Sequence, residues 1–259
     1  MATVAGAHAE RVGRARELLA TRGRKEQGRF TFEGPTLLDE AARSGVEIEE
    51  LFVTEQVLEG NARVRELDRD GTPVFAVDDR TMAKISDLET PSGLVAVARM
   101  RYTPLSELLG GPLTLVLADI SDPGNAGTLL RSAEAFGASG VLFGAQGVDP
   151  YHPKVVRGAM GATFRLPLAT AAPEALAEAA GPGLAILGLD VRGEDLRHIE
   201  LPERAAVVVG HERRGLGSWA AACTARIAIP MLQTTESLNA AVAGSIALYE
   251  FHMRRRGRA

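Results

Sequence analysis

Apolar positions along this chain follow two patterns, a spacing of three to four residues and short unbroken runs, and their alternation gives an α/β reading. Residues 9 to 21 carry Val12, Ala15, Leu18 and Leu19 on one face, which predicts a helix that Gly23 and Gly28 break. Leu37, Leu38, Ala41 and Ala42 repeat helically before Gly45, and Leu51-Phe52-Val53 then reads as a strand. Residues 62 to 67 read as a helix ended by Gly71, and Val74-Phe75-Ala76-Val77 as the next strand. A short helix over 81 to 85 and a strand over 94 to 98 complete a small α/β domain, residues 1 to 100. Pro104, Gly110, Gly111 and Pro112 give residues 101 to 112 the composition of a linker.

Residues 113 to 259 form the second domain. The strand signature at 113 to 118 is followed by shorter apolar runs at 140 to 143, 184 to 187, 205 to 209 and 227 to 229. Helices are expected between most of them. One spans 126 to 136, with Asn125 at its N-cap and Leu129, Leu130 and Ala133 at helical spacing; an alanine-rich surface helix spans 169 to 183, and another closes the chain. Short, continuously apolar strands alternating with helices predict a mostly parallel sheet covered on both faces.

Composition narrows the setting. With 259 residues and 46% apolar content the chain reads as a soluble globular protein. The single cysteine, Cys223, allows neither an internal disulfide nor a zinc cluster, so no metal site is expected and a reducing, cytoplasmic compartment is the default. No run is long enough for a membrane span and no secretory signal is legible; Glu10, Glu17 and Glu26 argue against a mitochondrial presequence. The net charge is −4, yet Arg11, Arg14, Arg16, Arg22, Arg24, Lys25 and Arg29 crowd one end and Arg254, Arg255, Arg256 and Arg258 the other. Phosphate contacts and solubility tails both account for such basic ends.

Candidate chemistry falls on three loops that a parallel sheet brings to one edge: 122 to 131, 210 to 217 and 230 to 239. None holds a dinucleotide fingerprint, a phosphate-binding loop or a serine-hydrolase elbow, which disfavours those enzyme classes. The loops carry Asp122-Pro123-Gly124-Asn125 before Leu129-Leu130-Arg131, then Gly210-His211-Glu212 before Gly215-Leu216. The third carries Ile229-Pro230-Met231 before Thr235-Glu236-Ser237-Leu238-Asn239. In this order they resemble the three motifs of the SpoU, or TrmH-type, branch of the SPOUT methyltransferases. The N-terminal half, with Gly28-Arg29-Phe30-Thr31-Phe32-Glu33-Gly34, more loosely resembles that family's small α/β, L30e-like substrate-binding domain.

The resemblance implies a C-terminal domain of SPOUT type with a trefoil knot, which is a rare exception to ordinary chain connectivity. It further implies a homodimer, S-adenosylmethionine as methyl donor and a ribose 2'-hydroxyl of RNA as acceptor, ribosomal RNA ahead of transfer RNA. It places Gly210, Ile229, Met231 and Leu238 on the donor, with Arg131, Asn125, Glu212, Ser237 and Asn239 at the reacting group. Arginine stays protonated in proteins, so Arg131 is expected to clamp a phosphate and stabilise developing alkoxide, not to act as a base. The residues also admit plainer readings: Asn125 as a helix cap, Glu212 as a solvated loop acid beside Arg213 and Arg214, and Ser237 and Asn239 as a helix start. His152 and His211 occupy no motif position, and Ala159 stands where the family loop often has serine. The competing functions are a non-catalytic RNA-binding module of the same fold and a methyltransferase acting on transfer RNA or on a base.

Overall fold

The computed structural model describes residues 9–232 and 237–257; Thr235, Glu236 and Arg258 lie outside the described residues. The first elements are α1 (Ala9–Glu17), α2 (Thr21–Gln27), β1 (Arg29–Glu33), α3 (Pro35–Arg43), β2 (Ile48–Val53), α4 (Glu55–Gly60), α5 (Ala62–Arg69), β3 (Val74–Ala76), α6 (Asp79–Ile85) and β4 (Leu94–Arg99). They continue with α7 (Leu105–Leu108), β5 (Leu113–Leu117), α8 (Pro123–Ala135), β6 (Gly140–Gly144), α9 (Pro153–Ala159), α10 (Ala162–Arg165) and β7 (Leu168–Ala171). The last are α11 (Pro173–Ala179), β8 (Leu184–Asp195), β9 (Arg204–Val209), a 3-10 helix (Gly217–Ala221), β10 (Ala225–Ala228) and α12 (Ala240–Arg256). Two compact units result, one of Met1–Arg101 with Tyr151–Arg165, the other of Tyr102–Pro150 with Leu166–Ala259.

The first unit holds a four-stranded sheet in the order β1-β4-β2-β3, antiparallel except between β2 and β3. Strand β1 has no long apolar run to announce it; Phe30 and Phe32 are buried and the strand is fixed by pairing with β4. The helix expected over 9 to 21 stops at Glu17, and a second helix starts at Thr21. Gly23 lies inside α2 instead of breaking it, because a Cβ there would stand 2.2 Å from the Glu17 carbonyl oxygen; the glycine lets the two helices close together. Ala15 and Leu18 then join a core of Phe52, Phe75, Met82, Ile85, Val95 and Val97. Arg24 is fully buried, donating to the Leu18 and Leu19 carbonyls and the Thr21 hydroxyl.

The second unit is built on a six-stranded parallel sheet in the order β10-β8-β9-β5-β6-β7. The central strands β5, β6 and β9 are buried along nearly their whole length, as expected for a sheet covered on both faces. One face packs Val116, Leu142, Ile186 and Val208 with Leu216 and Trp219. The other receives α8 and α12. Gly244 of α12 sits where a Cβ would come within 2.4 Å of Leu129 and 2.9 Å of Val209, so its smallness sets how closely α12 approaches. The helix expected over 169 to 183 is corrected: residues 168–171 form β7, paired only with β6, and the helix begins at Pro173. Alanine spacing fits either period, and only the free edge of β6 settles which forms.

Strand β8 runs well past its expected end at 187. It pairs with β9 over 184–188, and its far end meets β10 at Glu194 and Asp195 after a register shift. The close approach is possible because Gly193 has no side chain: a Cβ would lie 2.5 Å from the Ile227 backbone, which cannot yield as a side chain would. Gly193→Ala is therefore expected to lower stability by roughly 2 kcal/mol or more through overpacking. A fall in the midpoint of urea unfolding measures it, and an unchanged midpoint would contradict the close approach.

Candidate active site

Because every strand of the six-stranded sheet runs parallel, the loops leaving β5, β9 and β10 emerge at one edge. The chain leaves the central strand β5 in one direction to β6 and β7, and β9 later takes the place on its other side. That reversal is where open α/β sheets bind ligands.

The β5 loop is set by Asp119, one of only two non-glycine residues with positive φ (56°) among the described residues. Its carboxylate accepts from Trp219 Nε1 at 2.9 Å and from the Gln146 backbone N–H at 3.1 Å. Those bonds offset the cost of a left-handed backbone and tie the β5 loop to the short helix beyond β9. Gly144 leaves room, since a Cβ there would strike Asp119 Oδ1 at 2.3 Å. Next, Asp122 caps α8 by accepting from the Asn125 backbone N–H at 2.7 Å, and Pro123 occupies the first helical turn. The expectation that Asn125 is the cap is thus corrected. A residue three positions upstream holds that role, so the Asn125 amide is free for other partners.

The β9 loop folds back on itself. His211 and Gly215 exchange two backbone hydrogen bonds of 2.9 Å, and Gly215 takes φ 58°. Gly210 makes this closure possible, because a Cβ there would meet the Gly215 carbonyl carbon at 2.4 Å. His211 Nδ1 accepts from the Arg213 N–H at 3.1 Å, so it has no proton to offer Glu212 Oε2 at 3.8 Å. His152 likewise serves the backbone, accepting from the Lys154 N–H.

Three side chains join the three loops. Asn125 Nδ2 donates to Glu212 Oε1 at 2.9 Å, and Asn239 Nδ2 donates to Asn125 Oδ1 at 3.0 Å. Asn239 Oδ1 in turn accepts from the N–H groups of Ala241 and Val242, capping α12. The direction of this chain is forced at both ends. A carboxylate only accepts and a helix N-terminus only donates, so each amide has one orientation. Asn239 is both the helix start of the plainer reading and a member of the site. Glu212 is not a solvated acid paired with its neighbours: its side chain is 23% exposed and bonds Asn125, with Ser121 Oγ at 3.4 Å from its other oxygen. Burial alone would raise its pKa. The Asn125 amide and the N–H groups of Glu212, Ser121 and Asp122 outweigh burial and hold the carboxyl below its ordinary 4.5.

The other expected residues stand apart from this network. Arg131 is exposed on α8, and Ser237 is exposed; neither side chain makes a hydrogen bond or ion pair among the described residues. Ile229, Met231 and Leu238 are half-buried beyond β10. Their backbone groups and those of Gly210 make no hydrogen bond among the described residues. Free main-chain donors and acceptors beside half-buried apolar side chains match the needs of a purine edge and a ribose, so the residues fit S-adenosylmethionine. Sequence reasoning passed over Asp119, Ser121 and Trp219. An aspartate ending an apolar strand was the only available signal, and its left-handed backbone is invisible in sequence.

The basic chain ends also differ from expectation. Arg11, Arg14, Arg22 and Arg29 pair with Glu50, Glu10, Glu26 and Glu49. Arg254 donates to the Leu196 and Ile199 carbonyls, and Arg255 to those of Pro112, Pro202 and Glu203. These arginines of α12 are struts of the fold, neither a solubility tail nor free charge. Among the described residues, Arg16 and Lys25 remain the unpaired basic groups of the N-terminal segment.

Comparison with known proteins identifies relatives of both halves of the chain. Residues 112–249 match the model of the SpoU rRNA Methylase family, and residues 9–96 that of an MRM3-like substrate binding domain. A Synechocystis protein described as an uncharacterized tRNA/rRNA methyltransferase is 32% identical over 92% of this chain and 89% of its own. The 23S rRNA (guanosine(2553)-2'-O)-methyltransferase of Bacillus subtilis is 27% identical over 98% of this chain and 100% of its own. The crystal structure of an AdoMet-bound rRNA methyltransferase from Sinorhizobium meliloti superposes with a TM-score of 0.85, at 27% identity and 98% coverage of both chains.

The carboxylate network makes two outcomes measurable. Since the folded pKa of Glu212 is depressed, its stabilising contribution is present above 4.5 and lost as pH falls through the lower folded value. Asn125→Ala removes the strongest donor and leaves burial in place. Glu212 should then titrate at higher pH than in the wild type, read from the carboxyl ¹³C shift, and the acid limb of the stability curve should flatten. Asn239→Ala should cost about 1 kcal/mol as a lost cap; it should also raise the Glu212 titration, because Asn125 loses the bond that orients it.

Proposed function

Because the chain belongs to the SpoU rRNA methylase family, we propose that it transfers a methyl group from S-adenosylmethionine to a ribose 2'-hydroxyl of ribosomal RNA. The observation that carries this reading is the Asn239, Asn125 and Glu212 chain, which locks one residue from each motif loop into a single polar tip. A non-catalytic relative has no need to hold all three loops in register.

S-adenosylmethionine supplies an electrophilic methyl group on a sulfonium. The half-buried turn of Ile229 and Met231, with Gly210 and Leu238, binds the donor through main-chain groups and apolar contact. Gly210 contributes its unpaired main-chain groups, while its missing side chain lets the loop close on Gly215. Asn125 and Asn239 orient the ribose, and Ser237 at the start of the closing segment adds a hydroxyl partner. Glu212 acts as an organising anion. Its low pKa makes it a weak base, and its oxygens already hold the donors named above. Arg131, charged and unpaired, takes the neighbouring phosphate and steadies the alkoxide as it forms; the hydroxyl proton leaves to phosphate or water.

Residues 1–100 recognise the RNA, with Arg16 and Lys25 as the free charges of the first two helices, and residues 113–259 carry out transfer. The closing segment is threaded to form a trefoil knot, a topology that places Ser237, Leu238 and Asn239 over the donor; a crystal structure whose tail passes beside the sheet unthreaded would remove it. The protein acts as a homodimer through α12. Val242, Ile246, Tyr249 and Met253, spaced four, three and four apart, are 48%, 39%, 49% and 45% exposed, an apolar stripe that a second copy would cover. No helix among the described residues is long and apolar enough to cross a membrane. The lone half-buried thiol of Cys223 suits a reducing cytoplasm.

The deciding experiment incubates the purified protein with labelled S-adenosylmethionine and separate ribosomal and transfer RNA, then digests the RNA to nucleosides. Label in a 2'-O-methyl nucleoside of ribosomal RNA is the expected result. Label on a base, or none at all, would sink the reading. Arg131→Lys should lower kcat at least about tenfold, since a lysine cannot reproduce the planar fork; full retained activity would leave the guanidinium no special role. Ile246→Asp should halve the mass seen in sedimentation, and a wild type that already sediments as a monomer would refute the dimer.

A further inference from the structure

Resting on that reading, we propose that Arg213 and Arg214, carried on a backbone loop already held in place, form a second phosphate grip, which holds the RNA backbone next to the target ribose. In the sequence these arginines follow Glu212, and the simplest expectation is mutual neutralisation. The structure prevents it. Glu212 turns its carboxylate to Asn125 and its oxygens are occupied there. Arg213 and Arg214 are exposed, and their side chains make no hydrogen bond or ion pair among the described residues. Arg11, Arg63, Arg99, Arg157 and Arg165 are each held by a carboxylate, whereas among the described residues Arg213 and Arg214, like Arg16 and Arg131, are not.

Rigidity makes these charges more than solvated surface. The loop that bears them is closed by the two His211–Gly215 backbone bonds and by the Arg213 N–H to His211 Nδ1. It is anchored from below by the Glu212–Asn125 bond. A phosphate grip mounted on such a loop loses little further backbone freedom when RNA binds. Guanidinium groups take phosphate oxygens in bidentate fashion, and two adjacent ones suit successive phosphates of a strand. Position decides the partner. The loop carries at one residue the anion that organises the ribose site and at the next two the charges, so the grip and the reacting hydroxyl belong to neighbouring nucleotides. An anionic strand that brings its ribose to Asn125 and Asn239 passes this loop.

The test uses the full chain and protein-free 23S ribosomal RNA. Binding is measured between about 50 and 200 mM salt, and S-adenosylmethionine affinity is measured in parallel by calorimetry. For the double variant Arg213→Ala, Arg214→Ala the slope of log K against log salt should shrink by about 1.4, two contacts at roughly 0.7 each for a single strand. RNA affinity at intermediate salt should drop roughly tenfold, and donor affinity should stay within about twofold. The double lysine variant should keep the wild-type slope, because it keeps both charges. A slope unchanged in the alanine variant would overturn the grip while leaving methyl transfer intact. Equal loss of slope in the lysine variant would also overturn it, since charge would not be the cause. A wild type that methylates no RNA would defeat the underlying reading, and the grip with it.

Discussion

The site depends on one directed chain of hydrogen bonds. It begins at the N-terminus of α12, where two backbone N–H groups have no partner within the helix, passes through Asn239 and Asn125, and ends on the Glu212 carboxylate. Each link is the only orientation its neighbours permit. The helix start is the positive end of the α12 dipole, so the same chain carries a favourable field toward an anion. Three loops from distant parts of the sequence are thereby held in one arrangement.

Backbone proximity is the second condition. The polar tip exists only if β9 can turn back at once and if α12 can press close to α8. Gly210 and Gly215 permit the first, Gly244 the second, and Gly193 lets β8 and β10 approach closely at the sheet edge. Asp119 adds a strained corner held by Trp219 and Gln146. Ordering these segments before a ligand arrives lowers the conformational cost of binding it, which is the physical meaning of a preorganised site.

Charge is handled locally. Most basic residues at the chain ends are consumed by carboxylates within the first unit or by carbonyls around the end of α12, so the crowding of arginines in the sequence overstates the free positive surface. The charges left free include Arg131, Arg213 and Arg214, on the motif loops. Net charge hides this, because a sum does not say which carboxylate each guanidinium meets.

By itself the sequence determined the α/β class, the buried strands β5, β6 and β9, the places of β8 and β10, and the three loops at one sheet edge, since burial on both faces leaves unbroken apolar runs and parallel order follows from alternation. The resemblance of its loops to a family's motifs also singled out Asn125, Glu212 and Asn239, together with Arg131 and Ser237. Tertiary structure decided the rest. Strand β7 is alanine-rich and takes its form from the edge of β6; β1 is created by β4; Gly23 joins two helices that its presence seemed to end. Whether Asn125 caps a helix or faces Glu212 depends on Asp122 taking the cap, and whether Arg213 and Arg214 are neutralised depends on a glutamate recruited from 87 residues away by Asn125. Local pattern carries backbone preference and burial, whereas partnership between side chains is settled only when distant segments meet.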